Sequence, residues 1–175
     1  MVRTCIVVAD SAHARFITLE MPQAHEMDEG AHLVEREDLV NPEAEIPERW
    51  LFSDRAGRAH ASPKGAAHAL DDHRRAHLRE SERRYARRLV EHAERFVKDQ
   101  QASRLMFVAE PRLLGTLREQ LPYERFHAVE IVEIGENLSR QPLKQIQRVL
   151  ALRGAVQAPS TPEDGVFHPR GQAYR

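Results

Sequence analysis

The sequence predicts one α/β domain, a mixed five-stranded sheet with helices on its faces. Three observations lead there. Arg3–Ala9 and Arg104–Ala109 are short continuous apolar runs that suit buried strands. Two further segments near the start alternate apolar and polar residues, as half-buried strands do. The later strands are separated by stretches of helical period.

Arg3–Ala9 is the first, central strand. Asp10-Ser11-Ala12-His13 reads as a turn, Ala14–Glu20 as a second strand folded back on the first, and His32–Val40 as a third. Together they predict an antiparallel meander. Asn41-Pro42 breaks it, because a residue before proline is pushed to extended geometry. From there to Asp72 no period emerges, and Pro42, Pro47, Pro63, Gly57 and Gly65 punctuate the stretch. A loop of about 30 residues is unusual inside a compact domain and marks either function or disorder.

Asp71-Asp72 is expected to start a helix, where carboxylates favour the positive end of the dipole, and the helix is expected to run from His73 to Gln101. Leu78, Tyr85, Leu89, His92 and Phe96 form its predicted buried stripe. His92 is expected to be a hydrogen-bonded core histidine. Arg104–Ala109 is the fourth strand. Pro111 opens a helix with apolar positions Leu113, Leu114, Leu117 and Leu121, which Pro122 closes. Ala128–Ile134 is the fifth strand and Gly135–Gln141 a loop. Pro142 opens a last helix to Arg153, ended by Gly154. The order is β-β-β-α-β-α-β-α. The first, fourth and fifth strands can run parallel through right-handed crossovers. This is a ribonuclease-H-like layout. The domain is expected to span residues 1–154, with 155–175 a flexible tail.

Composition narrows the function classes. With 41% hydrophobic and 30% charged residues, the chain is globular with a heavily charged surface rather than disordered. Its one cysteine, Cys5, sits inside the first strand, so neither an intramolecular disulfide nor a cysteine-based zinc site is available. The first apolar run is too short for a membrane span or a signal peptide, so a cytoplasmic protein without membrane insertion is expected. Net charge is −1, but its placement is uneven: −7 over residues 1–50, +4 over 51–100 and +2 over 101–175. No glycine-rich nucleotide fingerprint occurs, and no bound cofactor is expected.

Candidate chemistry concentrates in four places. In the long loop, Asp54 can form a local turn and Gly57 can take positive φ, leaving Arg55 and Arg58 to grip phosphate. Lys64, Arg74 and Arg75 would extend that surface. The alternative is a turn held by Asp–Arg pairing. Second, nine Lys and Arg between residues 74 and 98 outnumber five acids up to residue 99. Internal pairs such as Glu80–Arg84 and Glu91–Arg95 explain part of this, and the excess suits RNA phosphates. No aromatic residue interleaves the charges, so base stacking is not expected there. Third, Asp10 and Glu110 end the first and fourth strands. As neighbours they would stand at one sheet edge, where a nuclease or phosphohydrolase needs clustered carboxylates around metal, with Glu80 or Glu82 as a third acid. The alternative is an Asp10 that only caps its turn. Fourth, His73 and His77 stand four apart, but two arginines lie between them and no zinc-protease glutamate does, so no metal site is assigned. Ser11, Ser53 and Ser62 lie in loops without a nucleophile elbow.

Four segments in order carry a resemblance to a known family. They are Ile6–Phe16, Ser53–Arg58, Leu105–Arg118, and Glu136-Asn137-Leu138-Ser139-Arg140-Gln141-Pro142. They resemble the bacterial family called "protein required for attachment to host cells", across about residues 4–150. In the last segment Glu136-Asn137 stands where the family's pattern has Lys-Asp. The resemblance implies kinship with the middle domain of eukaryotic and archaeal peptide-release factors, where the loop before the long helix carries Gly-Gly-Gln. The corresponding stretch, Ser53–Asp72, has no Gly-Gly-Gln, so peptide release by that route is not expected. What is expected is a non-catalytic binding protein contacting RNA or the ribosome through this loop and the basic helix. The alternatives are a metal-dependent hydrolase using Asp10 and Glu110, and a protein-interaction adaptor. The sequence assigns no oligomeric state.

Overall fold

The computed structural model describes residues 3–21, 30–44 and 65–159, and of residues 65–75 the backbone alone. Five strands form one sheet: β1 (Thr4–Ala9), β2 (His13–Glu20), β3 (His32–Val40), β4 (Arg104–Ala109) and β5 (Glu130–Gly135). Among the described residues three α-helices accompany them: α1 (Gly65–Asp99), α2 (Pro111–Gln120) and α3 (Leu143–Leu152). A 3-10 turn at Tyr123–Phe126 joins α2 to β5. The strand order is β3-β2-β1-β4-β5. β1 and β2, and β2 and β3, pair antiparallel, while β1, β4 and β5 run parallel. The predicted α/β class, mixed sheet and element order all stand.

Burial explains why β1 and β4 read as unbroken apolar runs. Cys5, Val7 and Ala9 face a core shared with α1 and α2, while Ile6 and Val8 face a second core closed by α3. Leu105, Phe107 and Ala109 join the first core, Met106 and Val108 the second. A central strand covered on both sides has no polar face to alternate. Cys5 is sealed, and burial pushes its thiol up to about 12, so it is a small hydrophobe here. Edge strand β3 does the opposite: Glu35, Arg36, Glu37 and Asp38 are exposed, and charge on an edge discourages pairing with another chain. A bulge opposite Phe16/Ile17 makes Arg36 the extra residue, and its guanidinium meets Thr18 and Glu20.

Three expectations need correction. The helix α1 starts at Gly65, not at Asp71-Asp72, so those acids lie inside the helix and the last part of the expected loop is helical. The stripe is wider than five residues: Ala86, Val90, Ala93 and Val97 are buried with Tyr85, Leu89 and Phe96. Leu78 is instead 37% exposed, because it lies past the end of the core. His92 is half-buried, as expected of a hydrogen-bonded core histidine: its Nε2 lies 2.6 Å from Glu37 and its ring sits 4.4 Å from Phe16. Packing also continues past Gly154. Ala155 and Val156 pack on the second core, and the buried Gln147 amide donates to the carbonyls of Ala31 (2.5 Å) and Gln157 (3.1 Å).

Phe107 is 1% exposed at the middle of β4. Phe107→Ala should destabilise the fold by about 3–5 kcal/mol, since transfer energy and an unfilled cavity add. Denaturant unfolding measures this; a loss under about 1 kcal/mol would mean that this core repacks freely.

Candidate functional site

Pairing β1 and β4 in parallel, from Thr4 beside Arg104 to Ala9 beside Ala109, brings both chains out of the sheet at one edge. Asp10 and Glu110 are the next residues. The expected juxtaposition is therefore present. Around them the 41–44 turn, α1 and the start of α2 enclose a cleft of about 400 Å³, to which Asp10, Ser11, Glu43, Glu82, Tyr85 and Glu110 contribute.

The two carboxylates do different work. Asp10 Oδ1 accepts the amides of Ala12 (2.7 Å) and His13 (2.9 Å), and Oδ2 accepts the Ser139 hydroxyl (2.7 Å). The Asp10 amide donates to the His13 carbonyl, closing the β1–β2 turn. Desolvation is the largest single influence on Asp10 and pushes its carboxyl up. The Ser139, His13 and Ala12 hydrogen bonds and the His13 charge together outweigh it and hold the group below its ordinary 3.8. Asp10 thus caps its turn. Glu110 precedes α2 and is exposed; its Oε1 accepts the Asn137 side-chain amide at 2.6 Å. Asn137 and Ser139 also meet, Oγ to Oδ1, at 3.1 Å. A single chain of contacts, Asp10–Ser139–Asn137–Glu110, therefore bridges the two strand ends.

That bridge gives the segment Glu136–Pro142 its structural role. Arg15 holds it from below, donating to the carbonyls of Ser139 (3.2 Å) and Gln141 (2.7 Å) while gripping Glu35 with two nitrogens. Asn41 clasps the other side: its backbone amide donates to the Ala12 carbonyl and its side chain to that of Ser11 (2.8 Å). Glu43, two residues on, takes a bidentate grip from Arg84 of α1 at 3.0 and 2.8 Å. Hydrogen bonds from Arg84 and then Ser81 hold its carboxyl down at about 2, against an ordinary 4.5. Glu82 is tied to Arg112 of α2 at 3.1 and 2.8 Å.

Tyr85 is 2% exposed, and among the described residues its hydroxyl has no hydrogen-bond partner. Burial, and after it the Asp10 charge, push the phenol up, so it stays protonated. Sequence reasoning placed Tyr85 in the core stripe and passed over Asn41, Asn137, Ser139, Glu43 and Arg112. Of these, Asn137, Ser139 and Arg112 lay in segments of family resemblance and Asn41 in the Asn41-Pro42 break, while Glu43 carried no signal.

The other expected sites fare differently. Asp54, Arg55, Gly57, Arg58 and Lys64 lie outside the described residues, as do Ser53 and Ser62. Arg74 and Arg75 have helical backbone near the start of α1, and their side chains lie outside the described residues. The basic helix is more neutralised than its composition implies. Arg84 is paired as above, Arg83 is 3.8 Å from Glu119, and Lys98 is 2.7 Å from Glu94. The expected Glu80–Arg84 pair is present only at 4.0 Å, because Arg84 turns to Glu43. Glu91 and Arg95 do not pair; Arg95 reaches back toward His92 at 3.4 Å. Among the described residues no three histidine, cysteine, aspartate or glutamate side chains come together as metal ligands, and no helix is long and apolar enough to cross a membrane.

These features define an α/β domain whose parallel strands end in a carboxylate-lined cleft laced together by the segment before α3. The chain belongs to the family described as "protein required for attachment to host cells", whose model matches residues 5–150. No curated protein matches it.

Asp10 titrates below its ordinary value when folded, so its contribution is complete above that value and fades as pH falls through the lower, folded one. Ser139→Ala should cost about 1.5–3 kcal/mol at pH 7, the worth of a hydrogen bond to a charged group. The deficit should narrow in acid as Asp10 is protonated in both proteins. Urea unfolding across pH 2–7 measures it, and a constant deficit would remove Asp10 from the energetics of the turn.

Proposed function

We propose that this host-attachment-family chain is a cytoplasmic, non-catalytic binding protein that contacts RNA, ribosomal RNA first among candidates, through the outer face of α1. One observation carries the reading. Arg79, Arg87, Arg88 and Arg95 are exposed on α1, and none of them pairs with a carboxylate among the described residues; Arg87 meets only the neutral Gln120. Arginine is a strong phosphate ligand because its planar fork stays charged and donates in pairs. Arg88 and Arg95 stand seven residues, or about 10 Å along the axis, apart on one face. Arg74 and Arg75 lie about one turn before Arg79, and Asp54, Arg55, Gly57, Arg58 and Lys64 precede the helix, so the proposed surface extends toward them.

The meander on one side of β1 and two parallel strands on the other support a ribonuclease-H-like reading of the sheet, and with it the kinship to release-factor middle domains. A second reading, metal-dependent phosphodiester hydrolysis, is favoured by the shared edge of Asp10 and Glu110. It is the weaker one, because Asp10 spends both oxygens on its turn and on Ser139.

Filter binding of the full chain to single-stranded RNA across a salt series tests the proposal. Arg88→Ala with Arg95→Ala should weaken binding about tenfold at low salt and flatten the log–log salt slope by about 1.4, at about 0.7 per phosphate contact on single strands. An unchanged slope overturns the α1 contact. RNA incubated with Mn²⁺ should remain intact; cleavage that disappears in Asp10→Asn would establish the hydrolase instead.

A further inference from the structure

We propose that the cleft at the ends of β1 and β4 is a binding site for an alkylammonium group, independent of any RNA contact on α1. Four carboxylates line it, from Asp10, Glu43, Glu82 and Glu110, against one lining guanidinium, Arg112, with Arg84 behind Glu43. The excess of negative charge selects a cation and rejects phosphate. Among the described residues, two carboxylate oxygens have no partner. Both bonds from Arg112 fall on Glu82 Oε2, leaving Oε1, and Asn137 takes only Glu110 Oε1, leaving Oε2.

The Tyr85 hydroxyl, buried and without a partner among the described residues, is the third unsatisfied group, and it is an independent sign of a ligand. A buried hydroxyl without a partner costs about 1–3 kcal/mol, and native proteins rarely leave one so. Tyr85 lines this cleft, and its hydroxyl has no hydrogen-bond partner among the described residues. A bare metal ion is a poor occupant: Leu78, Leu113 and Ala44 line the cleft, whereas hard cations demand oxygen throughout. An ammonium head on an alkyl stem satisfies both halves, its hydrogens facing the carboxylates and hydroxyl and its methylenes facing the leucines. The volume of about 400 Å³ lies within the range of small-molecule pockets. A free polyamine and a lysine side chain of a partner share this chemistry.

Amide NMR titration of the full chain with spermidine, and separately with Nα-acetyl-lysine methylamide, at 0.15 M salt, tests the site. Saturable shifts are expected around Asp10, Glu82, Tyr85 and Glu110 with at least one probe, and the tighter probe identifies the source. Glu110→Gln, at an exposed position, should weaken binding about tenfold, as expected when a charged acceptor is lost. Tyr85→Phe should weaken it about threefold while leaving the thermal midpoint of the free protein unchanged or higher, since it removes an unpartnered hydroxyl. Non-saturating or scattered shifts with both probes, or equal affinity in both variants and wild type, overturn the proposal. So does equal displacement by Mg²⁺ at matched charge.

Discussion

The in-register parallel pairing of β1 with β4 is the constraint on which the molecule depends. Six residues align one to one across it, and nearly all are buried. Parallel strands require a crossover, and α1 lies within it. Because the pairs end together, residues 10 and 110 leave the sheet side by side, although a hundred positions separate them in sequence. A slip of one residue would turn every inward side chain of β4 to the opposite core. Phe107, sized for the face under α1 and α2, would then meet α3. The site therefore inherits its geometry from core packing rather than from the polar contacts that decorate it.

Those contacts nonetheless account for the lopsided charge of the sequence. The acidic first fifty residues and the basic centre meet across the fold: Glu43 pairs with Arg84, and Glu37 shares a hydrogen bond with His92. The helix then binds its successors in the same way, through Glu82–Arg112, Arg83–Glu119 and Glu94–Arg125. Each exposed pair adds little stability, about 0–1 kcal/mol. Their larger effect is to sort charge. Carboxylates outnumber cations in the cleft, while several arginines of α1 keep their charge unmatched on the surface.

How much of this was legible depended on the physics behind each feature. Continuous apolar runs and alternation located all five strands to within two residues, because burial on one or two faces leaves a direct trace. The end of β3 at Val40 was legible for the same kind of reason, through Asn41-Pro42. The start of α1 was not: Asp71-Asp72 looks like a first turn, and the alanine-rich stretch from Gly65 that extends the helix has no apolar period. Small residues favour a helix without marking a face. Within the site, adjacency of Asp10 and Glu110 followed from topology alone. The Ser139–Asn137 bridge did not, since it needs Ser139 to meet Asp10 from 129 residues away and Asn137 to meet Glu110 from 27, and neither did the missing partner of Tyr85, which no periodicity records.

The sealing of Cys5 has a practical corollary. The sole thiol of the chain lies in the core beneath α1 and α2, and its raised affinity for its proton keeps it from forming a nucleophilic thiolate at neutral pH. A cysteine introduced at an exposed position would therefore be the only one to react with a maleimide dye or a nitroxide. The native background needs no removal before distances or orientations are measured in this molecule.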